Sequence, residues 1–397
     1  MPDSRIYLQA IGCISAAGNN LAENMATLLA DSARPLPITG AMLENQSLRY
    51  GLVHANLPDG FGKSRASTRT EKLIAHCLHQ SPLFATVAQT YDPKRIAVVM
   101  GASTSGMAET EKAMAVYAKY GQLPEAFNIG ELNLSRPAIF TAAALGAKGP
   151  VYTISNACAS GSMAYAAAAR LLCAGVADAV IAGGVDGASR FTTAGFNALG
   201  AISPGICEPF GQNRCGINLG EGGAIALFTR APAPLELAGW GETCDAHHIS
   251  SPDPDGTGAT HAMLMALHRA GVHTSDIDYI SLHGTATRLN DAMEAKAVSS
   301  LFGAHTPAAS LKPLTGHMLA GAGSFQAVIA SSLLLNNPQG KLAVNHLQGP
   351  RDEDISQIDL VLAPRSLGHP LQYVLCNAFA FGGSNASLVF RGPHMTE

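Results

Sequence analysis

The chain has 397 residues, of which 47% are apolar and only 14% charged, with a formal net charge of −4. That length suffices for two domains or one large α/β unit, and the composition is the reverse of a disordered chain. The negative balance and an aromatic share of 6% argue against nucleic acid as a partner, since neither a positive field nor a stacking platform is available.

Short β-branched runs alternate with alanine-rich stretches, the pattern of an α/β layered fold. In chain order they predict a strand at 6–11, helices at 21–29 and 71–80, and strands at 95–100 and 151–154. A helix at 160–174 follows, then strands at 179–182, 224–228 and 235–240 and a helix at 260–270. The remainder reads as strand 277–282, helix 291–301, strand 308–311, helix 321–335 and strands 373–377 and 386–390. Residues 1–18, interrupted by Gln9 and Gly12, fit a strand and turn better than a signal peptide. Residues 314–340 carry no Lys, Arg, Asp or Glu, but His317, Gly321, Gly323, Ser324, Gln326 and Asn336 mark a helix buried in a large core rather than a membrane span.

The Pro-containing run 230–234 is the midpoint boundary, too short for a flexible linker. It divides the chain into halves 1–233 and 234–397, each opening on a strand and later delivering strand–loop–helix units, packed as one compact unit. The run Arg351-Asp352-Glu353-Asp354 reads as a solvated loop. The eight cysteines, at 13, 77, 158, 173, 207, 215, 244 and 376, show no CxxC pair or zinc-ribbon spacing. They read as buried thiols, one of them reactive, in a reducing compartment, and the cytoplasm is the expected location.

Four segments carry chemistry. In Val151-Tyr152-Thr153-Ile154-Ser155-Asn156-Ala157-Cys158-Ala159-Ser160-Gly161, a strand runs into small residues and then a helix. Cys158 stands on the turn at the helix N-terminus, where unpaired N–H groups and the helix dipole favour a thiolate able to attack a thioester. In Tyr279-Ile280-Ser281-Leu282-His283-Gly284-Thr285-Ala286-Thr287, a histidine and two hydroxyls follow a strand, where α/β sheets place ligands. In Ser310-Leu311-Lys312-Pro313-Leu314-Thr315-Gly316-His317, a lysine and a second histidine occupy the turn before the long apolar helix. In Cys376-Asn377-Ala378-Phe379-Ala380-Phe381-Gly382-Gly383, two aromatics enter a Gly-Gly turn whose backbone can donate N–H groups to a ligand.

These segments, in this order, resemble the condensing enzymes of fatty-acid and polyketide synthesis, the β-ketoacyl-[acyl carrier protein] synthases with a Cys-His-His site. Stretches at 101–106, 182–187, 213–223 and 251–258 extend the likeness over nearly the whole chain. The resemblance implies a thiolase-like fold of two pseudo-symmetric α/β halves in five αβαβα layers, with the nucleophile in half 1–233 and both histidines in half 234–397. It implies decarboxylative condensation of an acyl-enzyme thioester with malonyl-[acyl carrier protein], without a metal or redox cofactor. Cys158 matches the nucleophile, His283 and His317 the pair that holds the malonyl thioester carbonyl, and Lys312 the lysine anchoring their polar network. The N–H groups of Cys158 and Phe381 match the oxyanion hole, and Phe381 also the aromatic gate. Thr285 and Thr287 match hydroxyls beside the malonyl-pantetheine arm. Phe379 and Thr104 fall among the substrate-binding positions, Thr104 at the far end of the acyl tunnel. The implied partners are an acyl carrier protein and a second subunit, identical or a ketosynthase-like paralogue.

Three positions depart from the family. Gln326 replaces a glutamate that pairs with the lysine, which leaves Lys312 without that carboxylate. Arg288-Leu289-Asn290-Asp291 replaces Pro-x-Gly-Asp, and Cys215 stands where Asp is common, between Arg214 and Gly216. The departures suggest a specialised polyketide or pigment branch. Two rival readings are a catalytically silent, chain-length-factor-like partner subunit, and a thiolase with Cys376 as second cysteine; the retained Cys158 and the absence of a Cys-x-Gly turn speak against them. His247-His248 and Asp253-Pro254-Asp255-Gly256 read as loop residues, since Pro254 breaks the calcium-loop pattern.

Overall fold

The structure, a computed structural model, describes residues 5–30, 32 and 34–393. Its main sheet has eleven strands in the spatial order Asp359–Leu360, Pro307–Ala309, Tyr279–Ser281, Tyr373–Phe379, Ser384–Arg391, Leu235–Cys244, Tyr7–Ile14, Gly222–Thr229, Ala179–Asp186, Ile96–Gly101 and Val151–Ile154. From the two central strands, 7–14 and 235–244, the pattern outward is the same on both sides. Strand 7–14 runs antiparallel to 222–229, which is antiparallel to 179–186, and 96–101 and 151–154 continue parallel. Strand 235–244 runs antiparallel to 384–391, which is antiparallel to 373–379, and 279–281 and 307–309 continue parallel. Chain order matches spatial order identically in both sets, so the two halves are copies of one α/β unit.

The strands read as apolar runs because they are buried on both faces, as parallel sheets covered by helices must be. All residues of 96–101, 179–186 and 222–229 are buried. Alternate side chains feed three separate cores. Val99, Val180, Val374 and Leu388 point into a central core with Tyr165, Leu172, Phe325 and Val328 from helices Ser160–Cys173 and Ala320–Ser332. Val98, Ile181 and Ile225 face outward onto Leu73, Ile74 and Phe140 of helices Arg69–Leu78 and Arg136–Leu145. Ile280, Leu375 and Val389 face the other way, onto Met263, Leu267, Met293 and Val298 of helices Thr257–Ala270 and Arg288–Phe302. The result is the expected five-layered αβαβα stack.

The central helices meet closely where small residues allow it. A Cβ on Gly161 would lie 2.6 Å from the Ala320 carbonyl oxygen, and one on Gly184 would lie 2.3 Å from the same atom. Helix 320–332 is buried along its whole length, and no described helix is long and apolar enough to cross a membrane. Each predicted strand and helix has a counterpart in the structure, with ends shifted by a few residues. Two expectations need correction. Asp352 does not simply face solvent: it takes a hydrogen bond from the buried Arg214 guanidinium, and its N–H donates to the Phe210 carbonyl. Cys173, Cys215 and Cys244 are exposed, so only five of the eight cysteines are buried thiols. Asp253 lies in the loop before helix 257–270, as expected, and accepts the Thr257 N–H at 3.2 Å.

Candidate active site

The C-terminal ends of the parallel strands from both halves converge on one narrow pocket, lined by Cys158, Phe196, His283, Thr285, Thr287, Asn290, His317, Phe379 and Phe381 among others. Space for a water-sized sphere is about 10 Å³, roughly what one water needs. The Phe196 and Phe381 rings, 6.0 Å apart, pinch it.

Cys158 follows strand 151–154 on a single turn, Ala157–Ala159, before helix 160–173. Ala157 takes φ +46°, a left-handed conformation costly for a residue with a Cβ. The turn is locked by Ser160, whose Oγ donates to the Ala157 carbonyl at 2.6 Å and accepts the Asn156 N–H at 2.8 Å. No side chain caps the helix, which leaves the first N–H groups for a ligand. Phe381 opens the turn after strand 373–379, with Gly382 and Gly383 at φ +84° and +75°. Bonds run from the N–H groups of Ala380, Gly382 and Gly383, while the Phe381 N–H has no backbone partner among the described residues. The Asn156 amide donates to Ser384 Oγ at 3.2 Å and ties the two turns together.

His283 follows strand 279–281, and its N–H and that of Gly284 donate to the two carboxylate oxygens of Glu294 at 2.8 and 2.7 Å. Lys312 Nζ donates to the His283 carbonyl. The backbone of His317 is held on both sides: its N–H donates to Asn218 at 2.7 Å and its carbonyl accepts from Gly220 at 3.0 Å. Its Nδ1 accepts the Leu319 N–H at 3.1 Å, so in the neutral ring the proton sits on Nε2. Nε2 of both histidines is buried with no partner among the described residues. The rings stand edge to face, 5.7 Å apart, and the ligand-type atoms of Cys158, His283 and His317 all lie within 4.8 Å of one another. An orphaned buried donor is costly unless something else receives it.

Electrostatics settles the resting protonation. Burial, then the Lys312 charge, pushes both imidazoles well below their usual range, so they are neutral. Burial pushes Lys312 down and Glu294 up, each opposed by the other's charge. Burial also pushes the Cys158 thiol up to about 11, against the weaker pull of Lys312 and its own N–H. The sequence-based expectation of a resting thiolate is therefore corrected: desolvation outweighs the helix N-terminus, and the sulfur rests protonated at neutral pH.

The other expected positions divide. Thr285 and Thr287 line the pocket, their hydroxyls 2.9 Å apart, and Phe379 lies 6.4 Å from His283 between ring centroids. Thr104 does not line it; its hydroxyl donates to Asp186 at 2.9 Å. Cys376 lies in the central core, away from the pocket. Lys312 forms no ion pair among the described residues, as the Gln326 replacement implies, and the nearest acid acting on it is Glu294, whose charge opposes the effect of burial. Gln326 instead donates through Nε2 to the carbonyls of Ser281 and Asn377, at 2.8 and 2.9 Å, and clamps the ends of the strands that lead to His283 and Phe379. With Cys215 exposed, Arg214 finds its carboxylates in Asp352 and in Asp291, 3.7 Å away. Asp291, which burial pushes up to about 6, accepts the N–H groups of Phe210, Thr285 and Ala286 and shapes the threonine loop. Glu294 and Asp186 were missed in the sequence; their signal was the pair Asp291 and Glu294, three apart and both buried on helix 288–302, and an acid ending the apolar run Ala179–Asp186.

A duplicated α/β unit in five αβαβα layers, with a cysteine at a helix start facing two neutral imidazoles, is the arrangement expected of a condensing enzyme of the thiolase type. Comparisons with known proteins agree. The family descriptions "Beta-ketoacyl synthase, N-terminal domain" and "Beta-ketoacyl synthase, C-terminal domain" match residues 84–233 and 235–339. The chain is 30% identical to a 3-oxoacyl-[acyl-carrier-protein] synthase 2 of Synechocystis sp., over 98% of both chains. It is 29% identical to one of Vibrio cholerae, over 98% of this chain and 100% of the other. Among solved structures, a ketosynthase in complex with its chain length factor from Xenorhabdus doucetiae is 36% identical, with TM-score 0.90 and 99% of each chain covered. The chain belongs to the β-ketoacyl synthase family and is an acyltransferase.

Proposed function

We propose that the protein extends an acyl chain held on Cys158 by two carbons, using malonyl-[acyl carrier protein] in fatty-acid or type II polyketide synthesis. The observation that carries this reading is the convergence of one thiol and two neutral imidazoles within 4.8 Å at a phenylalanine-gated pocket. The Cys158 sulfur attacks an acyl thioester, its proton passes to the departing pantetheine thiol through a neutral imidazole, and the Cys158 and Phe381 N–H groups receive the oxyanion. A malonyl thioester then enters along Thr285 and Thr287, with its carbonyl oxygen toward the imidazoles. Loss of carbon dioxide leaves an enolate whose charge the imidazole donors stabilise. Its carbon attacks the acyl-Cys158 carbonyl, a carbon–carbon bond forms, and the Cys158 thiolate leaves and is reprotonated.

In this reading half 1–233 supplies the nucleophile and half 234–397 supplies the histidines and Lys312, and the enzyme works in the cytoplasm. A second ketosynthase-like subunit is part of the reading. Among the described residues, strand 151–154 ends the sheet with one side unpaired, and Met114, Tyr117, Tyr120, Ile129 and Ile139 are exposed on the segments before it. The related Xenorhabdus doucetiae ketosynthase is a complex with a chain length factor. The silent-subunit alternative gains no support from a site with all three reactive groups in place.

The test mixes the protein with acyl-carrier and malonyl-carrier thioesters and follows intact mass and carbon dioxide. Acylation should appear on Cys158 and vanish in Cys158→Ala. His283→Ala or His317→Ala should keep acylation, since one imidazole remains to relay the proton, while carbon dioxide release falls about a hundredfold. Loss of both steps together would overturn the division of labour.

A further inference from the structure

Asp186 is a fully buried carboxylate at the C-terminal end of strand 179–186, and the chemistry above does not use it. All the hydrogen bonds it receives come from N–H and O–H groups rather than from a cation. Ser103 donates N–H at 3.0 Å and Oγ–H at 2.6 Å, and Thr104 donates N–H and Oγ1–H, both at 2.9 Å. The last donor comes from the other half of the molecule: the Ala320 N–H, at 2.9 Å. Ser103 Oγ also accepts from Ala320, at 3.2 Å.

Ala320 is the first residue of helix 320–332 and directly follows Leu319, which has φ +51° and whose N–H fixes the His317 ring through Nδ1. A strained residue persists only where its surroundings hold it, and here it is held on one side by His317 and on the other by the Ala320–Asp186 bond. The helix start sits close against the other half, where only glycine at 161 and 184 leaves room for the Ala320 carbonyl and Ser324 Oγ donates to the Gly184 carbonyl at 3.0 Å. We infer that Asp186 is a positioning residue that sets the orientation and tautomer of His317, through Ala320 and Leu319, from across the interface between the halves. The same carboxylate holds the Ser103–Thr104 loop, so that loop and His317 share one anchor.

The inference rests on the proposed function for its kinetic readout and has a second readout that does not. Asp186→Asn keeps the shape and opposes an amide to the donors. In a double-mutant cycle with His317→Ala, Asp186→Asn alone should lower carbon dioxide release from malonyl-carrier about 10–100-fold. Cys158 acylation should stay within about threefold, and in the His317→Ala background the same change should alter residual release less than about twofold. A merely structural residue would lower release equally in both backgrounds, and that result would overturn the inference. Independently, in ¹⁵N-histidine-labelled protein, the His317 resonances, identified by their loss in His317→Ala, should move from the Nε2–H tautomer toward a mixture in Asp186→Asn; unmoved resonances would overturn it. If Asp186→Asn does not fold, Ser103→Ala takes its place in the cycle and the spectra, with a smaller effect in the same direction. A wild type that releases no carbon dioxide would sink the proposed function, while the nitrogen resonances would still decide the role of Asp186.

Discussion

Raising the pH is the perturbation that tests the Cys158 environment most sharply. The thiolate is the nucleophile, so a thiol pushed up to about 11 by burial holds only ~10⁻⁴ of its sulfur ionised at pH 7 and ~10⁻² at pH 9. Alkylation by iodoacetamide should therefore climb about tenfold per pH unit from pH 7 to 10, whereas a thiol of ordinary pKa, about 8.5, levels off by about pH 9.5. The assay quenches aliquots and follows the Cys158 peptide by mass spectrometry, apart from those of the exposed Cys173, Cys215 and Cys244. A plateau at or below pH 8 would refute the reasoning, because Lys312 and the turn N–H groups would then outweigh desolvation.

The gate is tested by size. Phe381→Ala removes one wall of the 6.0 Å Phe196–Phe381 pair, so a bulky maleimide should label Cys158 at least about tenfold faster, with a smaller gain for iodoacetamide; equal gains would contradict gating. Gln326→Leu leaves the buried carbonyls of Ser281 and Asn377 without their amide donor and should cost about 2–4 kcal/mol in urea unfolding; an unchanged midpoint would remove the clamp from the account. Gly161→Ala would bring a Cβ to 2.6 Å from the Ala320 oxygen and 2.8 Å from the Ser324 nitrogen, and should destabilise by about 1–3 kcal/mol; a neutral effect would mean that the two central helices can part.

The strands were legible because a both-face-buried strand must be apolar throughout, as in Ala179–Asp186 and Gly222–Thr229. Helix Met107–Tyr120 was not predicted: only Ala113 is buried, and exposed Met114, Val116, Tyr117 and Tyr120 erase the contrast between a wet and a dry face. The hairpin of Ile38–Leu43 and Gln46–Arg49, almost wholly outside the core, gave no alternating signal either. Cys158, His283 and Lys312 could be read from short motifs because each stands just past a strand, and His317 because it shares the turn after Lys312 with glycine on one side and the long apolar helix on the other. Asp186 and Glu294 act through bonds to Ala320, His283 and Gly284, across 134 residues in the first case, and no local pattern encodes such a contact. The resting state of Cys158 was misjudged for a related reason: the helix start is visible in sequence, while the burial that opposes it is a sum over the whole fold.

Carbon–carbon bond formation itself is the most direct measurement. Incubation of the protein, with its partner subunit where one is required, with acyl-carrier and ¹³C-malonyl-carrier should yield 3-oxoacyl-carrier bearing two labelled carbons, and Cys158→Ala should yield none. Labelled product formed at an undiminished rate by Cys158→Ala, or acyl-Cys158 that never transfers its chain to the malonyl-derived carbon, would contradict the account.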